Sequence, residues 1–229
     1  MVDNGSQDGQ DTAVLCSAGL DSAVLLAHEA QRQFVTPVYV AVGLAWEAEE
    51  QRALGHLLRA SVYERVRPAA LLTFTMEDIY PPSHWARAGR PPGYDTPDED
   101  VYLVGRNLVL LTKAAVFCAQ SGLSRIVLGP LAGNPFPDAT EAFFSAFSEA
   151  VSIGLDRPMA VATPFRHMHK AEVVRLGHAL NVPLERSLSC MRPEGGLHCA
   201  ACSKCRERHD AFVEAGISDP TRYAAPLPR

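Results

Sequence analysis

Apolar and polar positions divide this chain into short unbroken apolar runs separated by amphipathic stretches. Residues 12–16 (Thr-Ala-Val-Leu-Cys) and 35–42 (Val-Thr-Pro-Val-Tyr-Val-Ala-Val) are such runs, and their lack of alternation suits strands covered on both faces, as in a parallel sheet. Between them Ala23, Val24, Leu26, Ala27 and Ala30 recur at helical spacing, with Glu29, Gln31 and Arg32 outward, which predicts a helix over residues 22–34. A second helix is expected over residues 46–59, opening on Glu47, Glu49 and Glu50, where the helix dipole favours anions. Residues 71–74 read as a third, short strand, and residues 126–128 and 158–162 as a fourth and fifth. Helices are expected over 108–120 and 141–151, from His169-Lys170-Ala171-Glu172 onward, and up to about 215. In the helix over 141–151, Phe143, Phe144 and Phe147 are assigned to the core. Periodicity fails over residues 80–100, where Pro81, Pro82, Pro91, Pro92 and Pro97 cluster, and this stretch reads as a long loop or lid. Strands alternating with helices predict an α/β fold whose ligands lie beyond the carboxyl ends of the strands.

Composition narrows the classes. At 229 residues, 47% hydrophobic and 21% charged, the chain can build one sizeable core plus an appendage. No apolar run approaches the ~20 residues of a membrane span. The polar residues 3–11 lack the basic flank and apolar centre of a signal peptide, so a cytoplasmic protein is expected. A net charge of -5 argues against a broad nucleic-acid grip, and no direct nucleic-acid partner is expected. Six cysteines without an export signal point to metal binding or catalysis rather than a disulfide framework.

Four features carry candidate chemistry. The first strand runs straight into Ser17-Ala18-Gly19-Leu20-Asp21-Ser22 and a helix, so that loop amides and a helix N-terminus converge on one spot, an arrangement that binds phosphate. Ser17 and Ser22 add hydroxyls, and Asp21 is placed to hold the loop or a magnesium ion; a plain capped turn is the competing reading. Arg106 and Asn107 stand at or just before a helix start, and Asp138 and Asn134 lie in the turn-rich segment after the fourth strand, facing the same cleft. Lys170 at a helix start is electrostatically out of place, which suggests that it serves a bound anion. Finally Cys190, Cys199, Cys202 and Cys205 have eight, two and two residues between them, spacing that lets four thiolates close on one tetrahedral, structural zinc. A redox pair and an iron-sulfur cluster are the alternatives. Cys16 and Cys118 lie in apolar runs and are assigned to the core, and His28 to a helix surface.

With these residues in view, Ser17 to Ser22 resembles the pyrophosphate loop of ATP pyrophosphatases, usually SGGxDS. Together with Val104-Gly105-Arg106-Asn107-Leu108, Phe136-Pro137-Asp138, Thr163-Pro164, Lys170-Ala171-Glu172 and the four cysteines, the chain is similar to 7-cyano-7-deazaguanine synthases over residues 12–213. The resemblance implies a Rossmann-like fold of the adenine nucleotide alpha hydrolase type: a parallel five-stranded sheet with helices on both faces and a small C-terminal zinc-binding segment. It implies an ATP- and magnesium-dependent ligase that adenylates a small-molecule carboxylate and lets ammonia displace AMP, giving an amide. A second activation then leads to the nitrile. Ser17, Ala18, Gly19, Leu20, Asp21 and Ser22 would hold ATP; Lys170, Arg106 and Asp21 would act in catalysis; Asn107 and Asp138 would touch substrate; and family members are often homodimers. The expected organisation is a disordered lead over 1–10, an ATP-binding domain over 11–186, a zinc-binding segment with a helix over 187–217 and a Pro-rich tail over 218–229, surface-bound or mobile.

Three positions depart from the family pattern. Ala18 replaces a loop glycine, Val42-Gly43-Leu44-Ala45-Trp46 stands where the family carries a polar, histidine-bearing segment followed by an acid that Glu49 would retain, and Ala139 stands where cysteine is common. They leave open a paralogue that uses another carboxylate or stops at the amide, and a zinc-stapled nucleotide-binding module without turnover.

Overall fold

The computed structural model describes residues 12–228. The lead expected over 1–10 lies outside the described residues. Five strands, β1 (Thr12–Leu15), β2 (Val35–Ala41), β3 (Ala70–Thr73), β4 (Arg125–Val127) and β5 (Ala160–Ala162), form one sheet in the order β3-β2-β1-β4-β5, every pair parallel. Val14 sits opposite Pro37 on one side and Val127 on the other, so β1 is central, with Thr12, Ala13 and Val14 buried and Leu15 partly so. That position explains its unbroken apolar run.

Helices cover both faces. Helices α1 (Leu20–Ala30), α2 (Glu47–Leu57), α6 (Lys170–Ala179) and α7 (Ser203–Ala215) contribute Val24, Leu54, Val173 and Phe212 to one apolar layer. Helices α4 (Arg106–Ser121) and α5 (Glu141–Gly154) contribute Leu111, Cys118 and Phe144 to the other, with Phe143 and Phe147 packed partly buried against it. Cys16 lies in the first layer, so both lone cysteines are core residues. Among the described residues no helix is long and apolar enough to cross a membrane.

Element boundaries moved where backbone chemistry outweighs side-chain periodicity. Helix α1 starts at Leu20, two residues before its apolar repeat, because Gly19 takes the extended N-cap conformation. Helix α4 starts at Arg106 because Gly105, at φ 74°, turns the chain in a left-handed conformation that side chains resist. Residues 80–100 are tied down rather than a free lid. They carry the short helix α3 (Trp85–Ala88), Pro92 O accepts from Ser203 N at 3.3 Å, and Thr96 O accepts from Arg206 at 3.0 Å. The tail also packs: His198 N donates to Arg222 O at 3.0 Å, Ala224 N donates to His198 O at 2.8 Å, and Tyr223 donates to Asp219 at 2.8 Å.

The strand order sets the position of the cleft. Because β1 has β2 on one side and β4 on the other, the connections leaving β1 and β4 diverge to opposite faces and open a crevice at their carboxyl ends.

Candidate functional site

A cleft of about 700 Å³ occupies that crevice, within the size range of small-molecule sites. Its walls come from the loop after β1, the start of α4, the turn after β4 and the start of α6, with the first turns of α7 closing one side.

Ser17, Ala18 and Gly19 make the turn into α1. No side chain caps that helix, so its first-turn amides stay available to an anion. Ser22 Oγ donates to Gly19 O at 3.0 Å, and Gly19 N donates to Ser17 Oγ at 3.4 Å. Ala18 is the strained member, at φ 61° and fully buried. An L-residue there costs about 1–2 kcal/mol, and the neighbouring C-terminal segment helps hold it, since Ala18 O accepts from Leu188 N at 2.8 Å.

Asp21 lies in the first turn of α1 and pairs through Oδ2 with Lys170 at 3.1 Å, while its buried Oδ1 has no hydrogen-bond partner among the described residues. An unsatisfied buried carboxylate oxygen beside an uncapped helix N-terminus fits a magnesium ligand. Lys170 begins α6 behind a capping box, in which Glu172 accepts from His169 N at 2.7 Å. Its ammonium also meets Glu207 of α7 at 2.6 Å, and Glu207 meets Lys204 at 2.6 Å. Burial opposes charge on Lys170, but Asp21 and Glu207 outweigh it and raise the lysine's pKa. The charge that looked misplaced at a helix start is therefore balanced by two carboxylates from other elements.

Across the cleft Arg106 is the first residue of α4, and its buried Nε has no partner among the described residues. Asn107 and Asp138 hold each other: Asn107 N donates to Asp138 Oδ2 at 3.0 Å, and its side-chain amide donates to Asp138 O at 3.0 Å. Burial is the main cause of the raised Asp138 pKa. Asn134, which accepts from Phe136 N at 3.0 Å, lines the same wall.

Sequence reasoning missed Glu50. It is 7% exposed, lines the cleft and accepts from Tyr39 Oη at 2.9 Å. Burial is the main cause that pushes its pKa up to about 7. Glu49, the acid singled out in the sequence, instead pairs with Arg52 on the surface. The signal was available in the helical period, because Glu47 and Glu50 fall on the same buried face of α2 as Leu54 and Leu57. Glu47 has a structural task, accepting from Val42 N at 2.7 Å and Gly43 N at 3.1 Å. Beside Glu50, Trp46 stacks on Trp85 of α3 at 5.9 Å between ring centres.

The four cysteines form a separate centre at the root of α7, fully buried, with all sulfurs within 4.8 Å of one another. Individual separations of 4.0 Å (Cys190–Cys202), 3.9 Å (Cys199–Cys205) and 3.6 Å (Cys202–Cys205) match the ~3.8 Å edge of a tetrahedron with ~2.3 Å zinc–sulfur bonds. A multi-iron cluster would hold the sulfurs further apart. Arg192 N and Cys199 N, each 3.3 Å from Cys190 Sγ, and Ala201 N, 3.4 Å from Cys199 Sγ, donate to these sulfurs. Arg208, fully buried on α7, ties the segment together through Ser187 Oγ (2.9 Å), Ser189 Oγ (3.1 Å), Leu184 O (2.7 Å) and Thr221 Oγ1 (2.6 Å).

The family model described as "Queuosine biosynthesis protein QueC" matches residues 11–216 of this chain. A 7-cyano-7-deazaguanine synthase of Methanopyrus kandleri is 34% identical, over 93% of this chain and 98% of that protein. One from Methanothrix thermoacetophila is 34% identical over 91% of this chain and 96% of its own length. A third, from Anaeromyxobacter dehalogenans, is 31% identical over 96% and 98% respectively.

Proposed function

The chain belongs to the QueC family of queuosine biosynthesis proteins, and from that premise we propose that it is an ATP-dependent 7-cyano-7-deazaguanine synthase, converting a 7-deazaguanine carboxylate to the nitrile with ammonia. The observation that carries the reading is the convergence, at the carboxyl ends of β1 and β4, of an uncapped helix N-terminus, Lys170 and Arg106.

A carboxylate is a poor electrophile because oxide is a poor leaving group. Transfer of AMP to it creates a good one, and negative charge develops on the departing pyrophosphate. Ser17, Gly19 and Ser22, with the first-turn amides of α1, cradle that charge. Lys170 stabilises it from the α6 side and Arg106 from the α4 side. Asp21 would hold magnesium, which when bound would supply Lewis-acid neutralisation of the phosphates. Ammonia then displaces AMP to give the amide, and a second activation, now of the amide oxygen, leads to the nitrile. Asn107 and Asp138 shape the wall against which the substrate lies. Cys190, Cys199, Cys202 and Cys205 would hold a structural zinc, four thiolate ligands that would leave no open position and would fix a segment with few apolar side chains of its own. The family's common homodimeric state is proposed for this chain as well.

The left-handed strain at Ala18 favours one second reading, an enzyme with slowed adenylation that stops at the amide. Mass spectrometry of a mixture of 7-carboxy-7-deazaguanine, ATP, magnesium and ammonium separates the outcomes. Nitrile with AMP supports the proposal and amide alone supports the second reading. No AMP and no product would overturn both.

A further inference from the structure

The carboxylates that line the cleft are not equivalent. Asp21 is committed to Lys170, Asp138 to Asn107, and Glu207 to two lysines. Asp210 and Glu214 stand exposed on the outer turns of α7. Glu50 differs from all of them: it is buried on the cleft wall, accepts from the Tyr39 hydroxyl, and makes no ion pair among the described residues.

Resting on the ligase reading above, we propose that Glu50 is the proton acceptor for the attacking nitrogen, which would make it a further catalytic residue of the amide-forming step. Ammonium gives one proton to the Glu50 carboxylate. The freed lone pair forms the C–N bond at the acyl carbon, the carbon–oxygen bond to the AMP phosphate breaks, and that electron pair leaves with AMP. The second proton departs to water as the amide forms. Charge placement fits this sequence, since Arg106 lies close enough to favour an ionised Glu50 without an ion pair that would occupy it.

The groups facing Glu50 come from four elements. Tyr39 of β2 and the Trp46 indole, just before α2, donate hydrogen bonds that favour the carboxylate, and Arg106 of α4 favours it electrostatically. Glu47 of α2 opposes ionisation, and Cys16, at the end of β1, is a buried neutral thiol. Burial dominates and leaves Glu50 at about 7, where a general base is both substantially ionised and basic enough to act.

The test separates the half-reactions in Glu50→Gln, which keeps the side chain's shape and an acceptor for Tyr39. ATP–pyrophosphate exchange with 7-carboxy-7-deazaguanine, without ammonium, reports adenylation and should persist. Amide formation from ammonium near neutral pH should fall by about 100-fold or more, and the deficit should shrink in alkali, where free ammonia needs no base. Hydroxylamine, already neutral near pH 7, should be used almost as well by the variant as by the wild type. Equal loss with both nucleophiles, or loss of exchange, would overturn the proposal. Tyr39→Phe gives an independent check with Glu50 intact: losing the hydrogen bond that favours the carboxylate should move the acidic limb of the rate profile to higher pH, and an unmoved limb counts against the assignment. Absence of exchange in the wild type would sink the ligase reading itself, a result distinct from a selective failure of Glu50→Gln.

Discussion

Glu207→Gln is expected to destabilise the fold and loosen the cleft together, because Glu207 links α7 to Lys170 at the start of α6. Its carboxylate meets Lys170 and Lys204 at 2.6 Å each. Burial alone would favour the neutral acid, but the two ammonium groups override it and hold the group at about 2, against an ordinary 4.5. That depression corresponds to about 3 kcal/mol at neutral pH. The side chain is 23% exposed, so solvent screening removes a minor part, and the variant should lose about 2–3 kcal/mol. For a domain of this size the melting temperature should fall by about 4–12 °C. The pH dependence follows from the sign of the shift. A depressed folded pKa gives stability that is complete above the unfolded value of 4.5 and is lost as pH falls through the folded value of about 2. Urea unfolding of wild type and variant across pH measures the gap, and the cysteines titrate in both proteins, so their contribution largely cancels in the difference. A neutral-pH gap under about 0.5 kcal/mol, or one that stays constant into acid, would refute the reasoning.

Two further outcomes concern the loop and the metal. Replacing Ala18 by Gly relieves about 1–2 kcal/mol of left-handed strain but gives back about 0.4–1 kcal/mol of unfolded-state entropy and about 0.8 kcal/mol of methyl burial. The melting temperature should therefore barely move, any large rise in AMP release then reports phosphate approach, and Ala18→Val at the same fully buried position should destabilise by about 2 kcal/mol or more. Stripping metal from the cysteine centre with a strong chelator should raise amide hydrogen exchange over residues 187–224 and across the first turns of α6, because α7 carries Glu207; unchanged exchange would argue against a structural zinc.

The order of strands and helices was legible in the sequence wherever burial leaves a periodic or unbroken apolar record, as in β1, β2 and α1. The strand–turn–helix through residues 17–22 and the four-cysteine centre were legible as well, because each is contiguous or nearly so and its spacing is itself the geometric constraint. Boundaries at Gly19 and Gly105 were less so, since backbone conformation rather than side-chain pattern sets them. Pairings between distant elements were not legible at all. Nothing local ties Lys170 to Asp21 and Glu207, Asn107 to Asp138, or Ala18 to Leu188. Glu49 and Glu50 are neighbours of the same chemical type, and only the roughly 100° turn per residue of α2 decides that one meets solvent and Arg52 while the other enters the cleft beside Tyr39. The sequence by itself determined the fold class and the four-cysteine cluster, because these depend on local spacing and residue type. Only the tertiary structure decided which charges neutralise one another and which carboxylate stays unpaired, because these depend on where the parallel sheet brings the ends of its strands together.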